Sequence, residues 1–345
     1  VDGDVPHDPL GTIPTPVDHA VDLGGEIGVP DLYVKRDGRS GELYGGNKVR
    51  KLEFLLADAR ARDRDGVWTL GGIGSNHVLA TALYARERSF TPHAAQFPQP
   101  VTDHVRENLR VLSTTEPKLT HVGGKLGIVK ELLRVRASIA LASDPSLYYV
   151  PAGGSSPVGV LGFVNAGLEL AAQVEAGELP KPDLIVVPVG SGGTVAGLAI
   201  GCRLAGLDTR ILGIRVIEKS LTNRWTINRL RRKTVEFLDA HGVTLPSNPR
   251  GQMIISGRYF GGTYGASTAA GDHAERIADD HGLHLDPTYT AKAFAGLLGE
   301  RDRRSLATKT VVFWQTLNQV DLSDRIERAT PDGLPSGYEQ YLSEA

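Results

Sequence analysis

Cysteine is nearly missing from this chain: Cys202 stands alone among 345 residues. One cysteine excludes an internal disulfide and suits a reducing compartment, so a cytoplasmic setting is expected. Cys202 lies in a run of small apolar residues, which points to a buried structural thiol rather than a nucleophile. An excess of either charge is also missing. The net charge of −2 gives no electrostatic reason to expect nucleic acid or an anionic membrane surface. Arg229, Arg231, Arg232 and Lys233 form one local basic cluster, expected on a solvated helix face. No stretch of about 20 uninterrupted apolar residues is present for a membrane span. The start, Val1-Asp2-Gly3-Asp4, is acidic and lacks the cationic-then-apolar order of a signal peptide, and the missing initiator Met is expected of processing or trimming.

What is present is a crowded turn. In Leu43-Tyr44-Gly45-Gly46-Asn47-Lys48-Val49-Arg50-Lys51-Leu52-Glu53, two glycines give a turn, and Leu52, Leu55, Leu56 and Ala59 then recur as one helix face. Lys48, Arg50 and Lys51 therefore crowd a helix start, where the macrodipole disfavours cations. Such a turn is either a charged surface feature or a site for an anion. A lysine held there could also carry a carbonyl cofactor as a Schiff base. Further on, Leu184-Ile185-Val186-Val187-Pro188-Val189 runs into Gly190-Ser191-Gly192-Gly193-Thr194 and an apolar helical stretch. Strand, glycine loop and helix together aim backbone N–H groups at a phosphate. The loop matches neither the nucleoside-triphosphate pattern nor G-x-G-x-x-G, since residue 195 is valine.

Residues 1 to about 30 are rich in Pro, Gly and Asp and are expected to form an irregular arm. Strands are predicted at Leu32–Lys35, Val67–Leu70, His93–Phe97, Lys118–Val122, Tyr148–Val150, Leu184–Val189, Ile211–Ile217 and Thr310–Trp314. Helical patterns fill 49–62, 77–88, 101–112, 126–141, 160–176, 195–205, 222–241, 267–281 and 288–299. This alternation predicts an α/β fold with parallel sheets flanked by helices.

Taken in order, the Lys48 turn, Gly74-Ser75-Asn76-His77, the loop at 190–194 and Asp286-Pro287-Thr288-Tyr289-Thr290-Ala291-Lys292 resemble a known family. It is the D-cysteine desulfhydrase and 1-aminocyclopropane-1-carboxylate (ACC) deaminase group of pyridoxal-phosphate enzymes. Its fold is tryptophan-synthase-β-like, or fold type II, and the match runs from about Leu10 to about Thr316. The resemblance implies a large cofactor-binding domain from 1–44 and 156–345, with a small domain inserted at 45–155, and it implies a homodimer. It implies pyridoxal 5'-phosphate on Lys48, with Lys48 also moving the substrate's α proton. Gly190, Ser191, Gly192, Gly193 and Thr194 would hold the phosphate, helped by Lys51, for which a solvent-facing lysine is the alternative. Ser75, Asn76 and His77 would clamp a substrate carboxylate, with Asn76 also near the cofactor's ring hydroxyl; a helix cap at Ser75 or Asn76 is the lesser alternative, and the two roles are compatible. Ser75, Tyr289 and Tyr264 would be catalytic along with Lys48, although tyrosines so placed are often core residues.

By the same resemblance Thr290 meets the ring nitrogen, where ACC deaminases carry glutamate. A neutral hydroxyl there gives a weaker electron sink, which tilts the expectation toward β-elimination. The expected enzyme is thus a lyase that eliminates and deaminates a small amino acid, D-cysteine or a β-chloro-D-alanine-like compound leading. ACC deamination, an L-cysteate-type sulfo-lyase, a specialised biosynthetic lyase and a cofactor-binding protein without catalysis are the alternatives. No metal is expected. Three departures from the family stand out: Gly74 in place of glutamine, Gly38 in place of aspartate, and Gln315-Thr316-Leu317-Asn318 in place of His-Thr-Gly-Gly. Losing a side chain at 74 is expected to open space and Leu317 to add bulk, suiting a larger or differently substituted substrate.

Overall fold

The computed structural model describes residues 5–141, 146–244, 246–248, 251–330 and 333–342, so the acidic start at 1–4 lies outside the described residues. The chain runs β1 (Val17–His19), α1 (Val21–Glu26), β2 (Leu32–Arg36), α2 (Val49–Ala61), β3 (Gly66–Gly72), α3 (Asn76–Glu87) and β4 (Thr91–Phe97). It continues through α4 (Asp103–Ser113), β5 (Lys118–His121), α5 (Gly124–Ala140), β6 (Leu147–Tyr149), α6 (Pro157–Glu175), β7 (Leu184–Val189) and α7 (Gly193–Leu204). The last part holds β8 (Arg210–Arg215), α8 (Arg224–Ala240), β9 (Gln252–Ser256), α9 (Ala269–Asp279), α10 (Thr290–Glu300), β10 (Val311–Gln315), α11 (Ser323–Glu327) and α12 (Glu339–Leu342). Every strand and helix expected from the sequence has a counterpart. The elements that periodicity missed are β1, β9, α1, α11 and α12. All five have six residues or fewer and no buried stripe, and β9 is in addition an edge strand with no fully buried residue. Because β1 and α1 lie in it, the arm before residue 30 is less irregular than expected.

By internal contacts the chain divides into two units. The larger comprises the described residues of 1–5, 11–51 and 155–319, and the smaller those of 6–10, 52–154 and 320–345. The expected boundary near 45 differs, because residues 45–47 are tied into the larger unit. Gly46 N–H donates to Asp37 O at 2.7 Å, Gly45 N–H to Asn318 Oδ1 at 2.6 Å and Asn47 N–H to Thr316 O at 3.2 Å.

In the larger unit the sheet order is β1-β2-β10-β7-β8-β9, parallel except for β1 against β2. All six residues of β7 are buried, as expected of a parallel strand covered on both faces. The cover follows from alternation along β10: Phe313 meets Phe294 of α10, while its neighbour Trp314 meets Phe163 of α6. Among the described residues α6 is the one helix long and apolar enough by composition to cross a membrane, yet most of that stretch is buried inside the unit. Cys202 on α7 is buried too, and burial pushes its thiol up to about 12. The basic cluster on α8 is only partly solvated. Arg231 is buried and donates to Gly251 O at 2.6 Å and Asn228 Oδ1 at 2.9 Å, which corrects the expectation of a wholly solvated face.

The smaller unit holds the parallel sheet β5-β4-β3-β6. Trp68 of β3, Ala95 of β4, Val122 after β5 and Val135 of α5 form one of its buried clusters.

Candidate active site

The glycine loop leaves the carboxyl end of the central strand β7, the edge at which open α/β sheets bind ligands. Gly192 has φ +90°, a left-handed conformation that costs glycine nothing, and α7 starts at the next residue. Gly192 offers α7 no side-chain cap; instead Ser155 Oγ accepts from Gly193 N–H at 3.0 Å and lies 2.7 Å from Ser191 Oγ. A β-carbon at residue 193 would fall 2.5 Å from Ser155 Oγ and 3.1 Å from Lys51 Nζ, so the missing side chain keeps a polar, cation-lined cradle open.

The Lys48 turn is joined to that loop. Asn47 Nδ2 donates to Thr194 Oγ1 at 3.0 Å, and Lys48 Nζ donates to Asn47 Oδ1 at 2.7 Å. One asparagine thus links the lysine to the first turn of α7. Lys48 Nζ stands 5.9 Å from the centre of the Tyr289 ring. Burial pulls its pKa down to about 8, against a smaller upward pull from the Asp286 carboxylate. Burial and then the charge of Lys48 hold Lys51 well below the usual lysine range, with its Nζ 5.6 Å from the Phe163 ring centre.

Arg50 behaves differently from its two lysine neighbours. Its guanidinium is 1% exposed and binds the Asp37 carboxylate at 2.8 Å and the Glu169 carboxylate at 2.7 Å. Trp314 Nε1 donates to Asp37 at 2.7 Å, and Lys35 pairs with Glu169. Burial alone would raise the Glu169 carboxyl, but Arg50 and Lys35 hold it at about 2. So the three cations at the helix start divide into one with built-in anions and two pulled toward neutrality.

Tyr264 and Tyr289 face each other, hydroxyl to hydroxyl, at 2.7 Å. Burial pushes Tyr264 up to about 12 and Tyr289 well above the ordinary phenol, so both keep their protons at neutral pH. Tyr289 also lies at the loop, since a β-carbon at Gly190 would come 3.1 Å from its Cε1. Asp286 sets the start of α10: its carboxylate accepts from Tyr289 N–H at 2.9 Å, from Thr290 N–H at 3.0 Å and from Thr290 Oγ1 at 2.6 Å. Thr290 Oγ1 in turn accepts from Asp286 N–H at 2.7 Å. The Thr290 proton is therefore given to Asp286, and the hydroxyl has a lone pair rather than a donor to present.

Ser75, Asn76 and His77 lie in the smaller unit at the start of α3. Ser75 is the N-cap, its Oγ accepting a long bond from Val78 N–H at 3.4 Å. His77 is buried, with Nε2 at 2.8 Å from Thr69 Oγ1 on β3. Asn76 Oδ1 is met by His104 Nε2 and by Asn108 Nδ2, each at 2.8 Å.

These arrangements agree with comparisons against known proteins. The chain matches the family described as "Pyridoxal-phosphate dependent enzyme" over residues 9–316. The chain belongs to that family. It is 33% identical over 298 residues to a putative 1-aminocyclopropane-1-carboxylate deaminase of Pyrococcus furiosus, covering 86% of this chain and 87% of the relative. It is 33% identical over 317 residues to nocardicin C-9' epimerase of Nocardia uniformis subsp. tsuyamanensis, covering 91% and 93%. It is 32% identical over 291 residues to D-cysteine desulfhydrase of Salmonella paratyphi B, covering 83% and 85%. A crystal structure of an ACC deaminase homologue superposes with a TM-score of 0.77 at 30% identity, covering 94% of this chain and 96% of that one. The protein is thus a pyridoxal-phosphate-dependent enzyme of fold type II, from a family that acts on small amino acids.

The residues of this pyridoxal-phosphate enzyme fit its cofactor. An aldehyde needs an amine that is neutral part of the time, and burial gives Lys48 that property. A phosphate needs donors and a neighbouring cation, and the glycine loop at the head of α7 has Lys51 beside it, a buried lysine whose protonated form a bound phosphate would favour. Sequence reasoning missed Asn47, Ser155 and Asp286, which hydrogen-bond to the candidate residues. Asn47 and Asp286 were visible inside the quoted segments, but no spacing rule reports an amide reaching from residue 47 to 194.

Two of the three departures explain each other. A β-carbon at Gly38 would lie 2.5 Å from Gln315 Oε1, Gln319 Cγ and Leu317 O, and Gly38 N–H donates to Gln315 Oε1 at 3.1 Å. The segment 315–319 occupies the space of a side chain at 38. The third departure corrects an expectation: residue 74 opens no space, because a β-carbon there would lie 2.4 Å from Val105 Cγ2 on α4.

Proposed function

We propose that the enzyme carries pyridoxal 5'-phosphate covalently on Lys48 Nζ, with the phosphate at Gly190, Ser191, Gly192, Gly193 and Thr194 and with Lys51 beside it. We propose further that it is a lyase that removes a β-substituent and the amino group from a small amino acid. The observation that carries the assignment is the pair of depressed lysines at the head of α2, tied through Asn47 to the loop after β7.

When bound, the cofactor supplies an electron sink for the bonds at the substrate's α carbon. The chain does the rest. Lys48 Nζ would hold the cofactor and, once free of it, would take the substrate's α proton, since burial that pulls its pKa down to about 8 suits it to act as a base near neutral pH. Tyr289 and Tyr264, both protonated, act as a hydroxyl pair that donates to the departing group. Ser75 and Asn76 take the substrate carboxylate. His77 is left out of the clamp, since its Nε2 is engaged by Thr69. D-Cysteine is the leading substrate: with water it gives sulfide, pyruvate and ammonia. Sulfide and pyruvate released in equal amounts by the holoenzyme support this, whereas no release with D-cysteine while other amino acids are consumed would move the assignment to ACC, a cysteate-type or a biosynthetic substrate. The compartment we propose is the cytoplasm, consistent with the lone buried thiol, and the assembly a homodimer, tested by a solution mass of twice the chain's.

Epimerisation is the second reading, and one observation favours it. If Thr290 is the partner of the ring nitrogen, its hydroxyl accepts from that nitrogen with the Asp286 carboxylate behind it. An acceptor so backed favours a protonated ring, a stronger sink than the sequence suggested. Exchange of the α proton in deuterated water with loss of configuration, and without release of ammonia, distinguishes this outcome.

A further inference from the structure

The Asn76 amide can be oriented from its surroundings alone. Its fixed starting point is a backbone carbonyl, Gly74 O, which can only accept. Asn108 presents Nδ2 to that oxygen at 2.9 Å, so its amide nitrogen faces the loop. The same Nδ2 reaches Asn76 at 2.8 Å, and the atom it meets there must be the acceptor Oδ1. His104, one turn earlier on the same face of α4, brings Nε2 to that oxygen at 2.8 Å and must carry its proton there. Protonating the imidazole would not change this, because Nε2–H donates in either state. Asn108 Nδ2 and His104 Nε2 lie 3.2 Å apart, two donors side by side on one oxygen. Turning the Asn76 amide over would set its N–H groups against both donors and lose two hydrogen bonds. Asn108 is buried, so water does not readily replace those bonds.

The arrangement depends on how close α4 comes to the loop. The backbone at Val105 lies 2.9 Å from where a β-carbon at residue 74 would stand, so a side chain at 74 would push α4 away. The glycine and the pair His104 and Asn108 form one device.

We propose that His104 and Asn108 are positioning residues that lock the Asn76 amide with Nδ2 outward, so that Asn76 acts as an obligatory donor to an oxygen acceptor. This rests on the reading above that Ser75 and Asn76 form a ligand segment. The acceptor is the substrate carboxylate or the oxygen on the cofactor ring, and the two sources separate by experiment.

The test uses holoenzyme with Asn108→Asp, whose carboxylate attracts the Asn76 N–H groups and reverses the amide. His104→Glu does the same from the partly exposed edge, should the buried change fail to fold. His104→Gln, which still donates, is the control expected to behave as wild type. D-Alanine and ethylamine, which is D-alanine without its carboxylate, are titrated against the visible band. If the acceptor is the substrate carboxylate, the reversing variants weaken D-alanine by about tenfold or more and leave ethylamine unchanged. If it is the ring oxygen, the pH midpoint of the visible band rises by about one unit, because an anion that loses its donor holds a proton more tightly. In an Asn76→Ala background the second change should add nothing in either case. Side-chain amide NMR of Asn76 without cofactor gives a separate readout, with the N–H resonances moving downfield in the reversing variants. If Asn76→Ala moves an affinity or the midpoint and the reversing variants move neither, the positioning role is overturned. If Asn76→Ala itself moves nothing while the amide resonances shift, the ligand-segment reading has failed instead, and the obligatory-donor role falls with it.

Discussion

Lys48 is the residue proposed to carry the cofactor, and its surroundings make a quantitative claim. With a pKa of about 8 in place of 10.5, it is neutral in about a tenth of molecules at pH 7. Uptake of pyridoxal 5'-phosphate by the apoenzyme should therefore speed up with pH and level off above about 8, rather than near 10. Asp286 opposes the effect of burial, so Asp286→Asn should move that midpoint to lower pH. Stopped-flow absorbance across pH checks both, and a midpoint near 10 in the wild type, or no movement in the variant, would contradict the account. At this scale the sequence was partly legible. Lys48 and the glycine loop announce themselves by residue type and order. The Thr290 hydroxyl does not, because whether it donates or accepts depends on Asp286 folding back over its own helix start.

Among the elements, the head of α2 is the feature whose meaning changed most. Three cations at a helix start read as one cluster in the sequence. In the fold Arg50 points to Asp37 and Glu169, from β2's carboxyl end and from α6, and only the lysines are pulled toward neutrality. Those partners are 13 and 119 residues away in sequence, beyond any local pattern. The Glu169 carboxyl is depressed from 4.5 to about 2, so its contribution to stability is complete above pH 4.5 and is lost as pH falls toward 2. That loss amounts to about 3 kcal/mol at most for the full shift. Glu169→Gln should lower the unfolding free energy at pH 7 by about 3–5 kcal/mol, since it leaves Arg50 and Lys35 short of a buried anion. The variant should then lose less on going to pH 3 than the wild type does. Denaturant titrations at the two pH values check this, and parallel losses would contradict it. Helices and parallel strands themselves were legible, because β7 and α6 carry long apolar runs; edge pieces such as β1 and β9 were not, because short half-buried strands carry too few periodic residues.

For the whole molecule, the alternation of strand and helix was enough to fix the fold class, and the order of four short segments was enough to fix the family. The division of the chain was harder to place, since residues 45–47 are tied to the larger unit by bonds with Asp37, Thr316 and Asn318 rather than by composition. The expectation about residue 74 failed for a related reason: whether a missing side chain leaves a hole depends on α4 moving in, which no sequence window contains. The most direct measurement of the central claim is borohydride reduction of the yellow holoenzyme followed by peptide mass analysis. One reduced cofactor should be found on the peptide that contains Lys48, on Lys48 itself, and Lys48→Ala should be colourless and unlabelled. A label on Lys51 or on any other lysine, or none from a holoenzyme that still absorbs in the visible, would contradict the account.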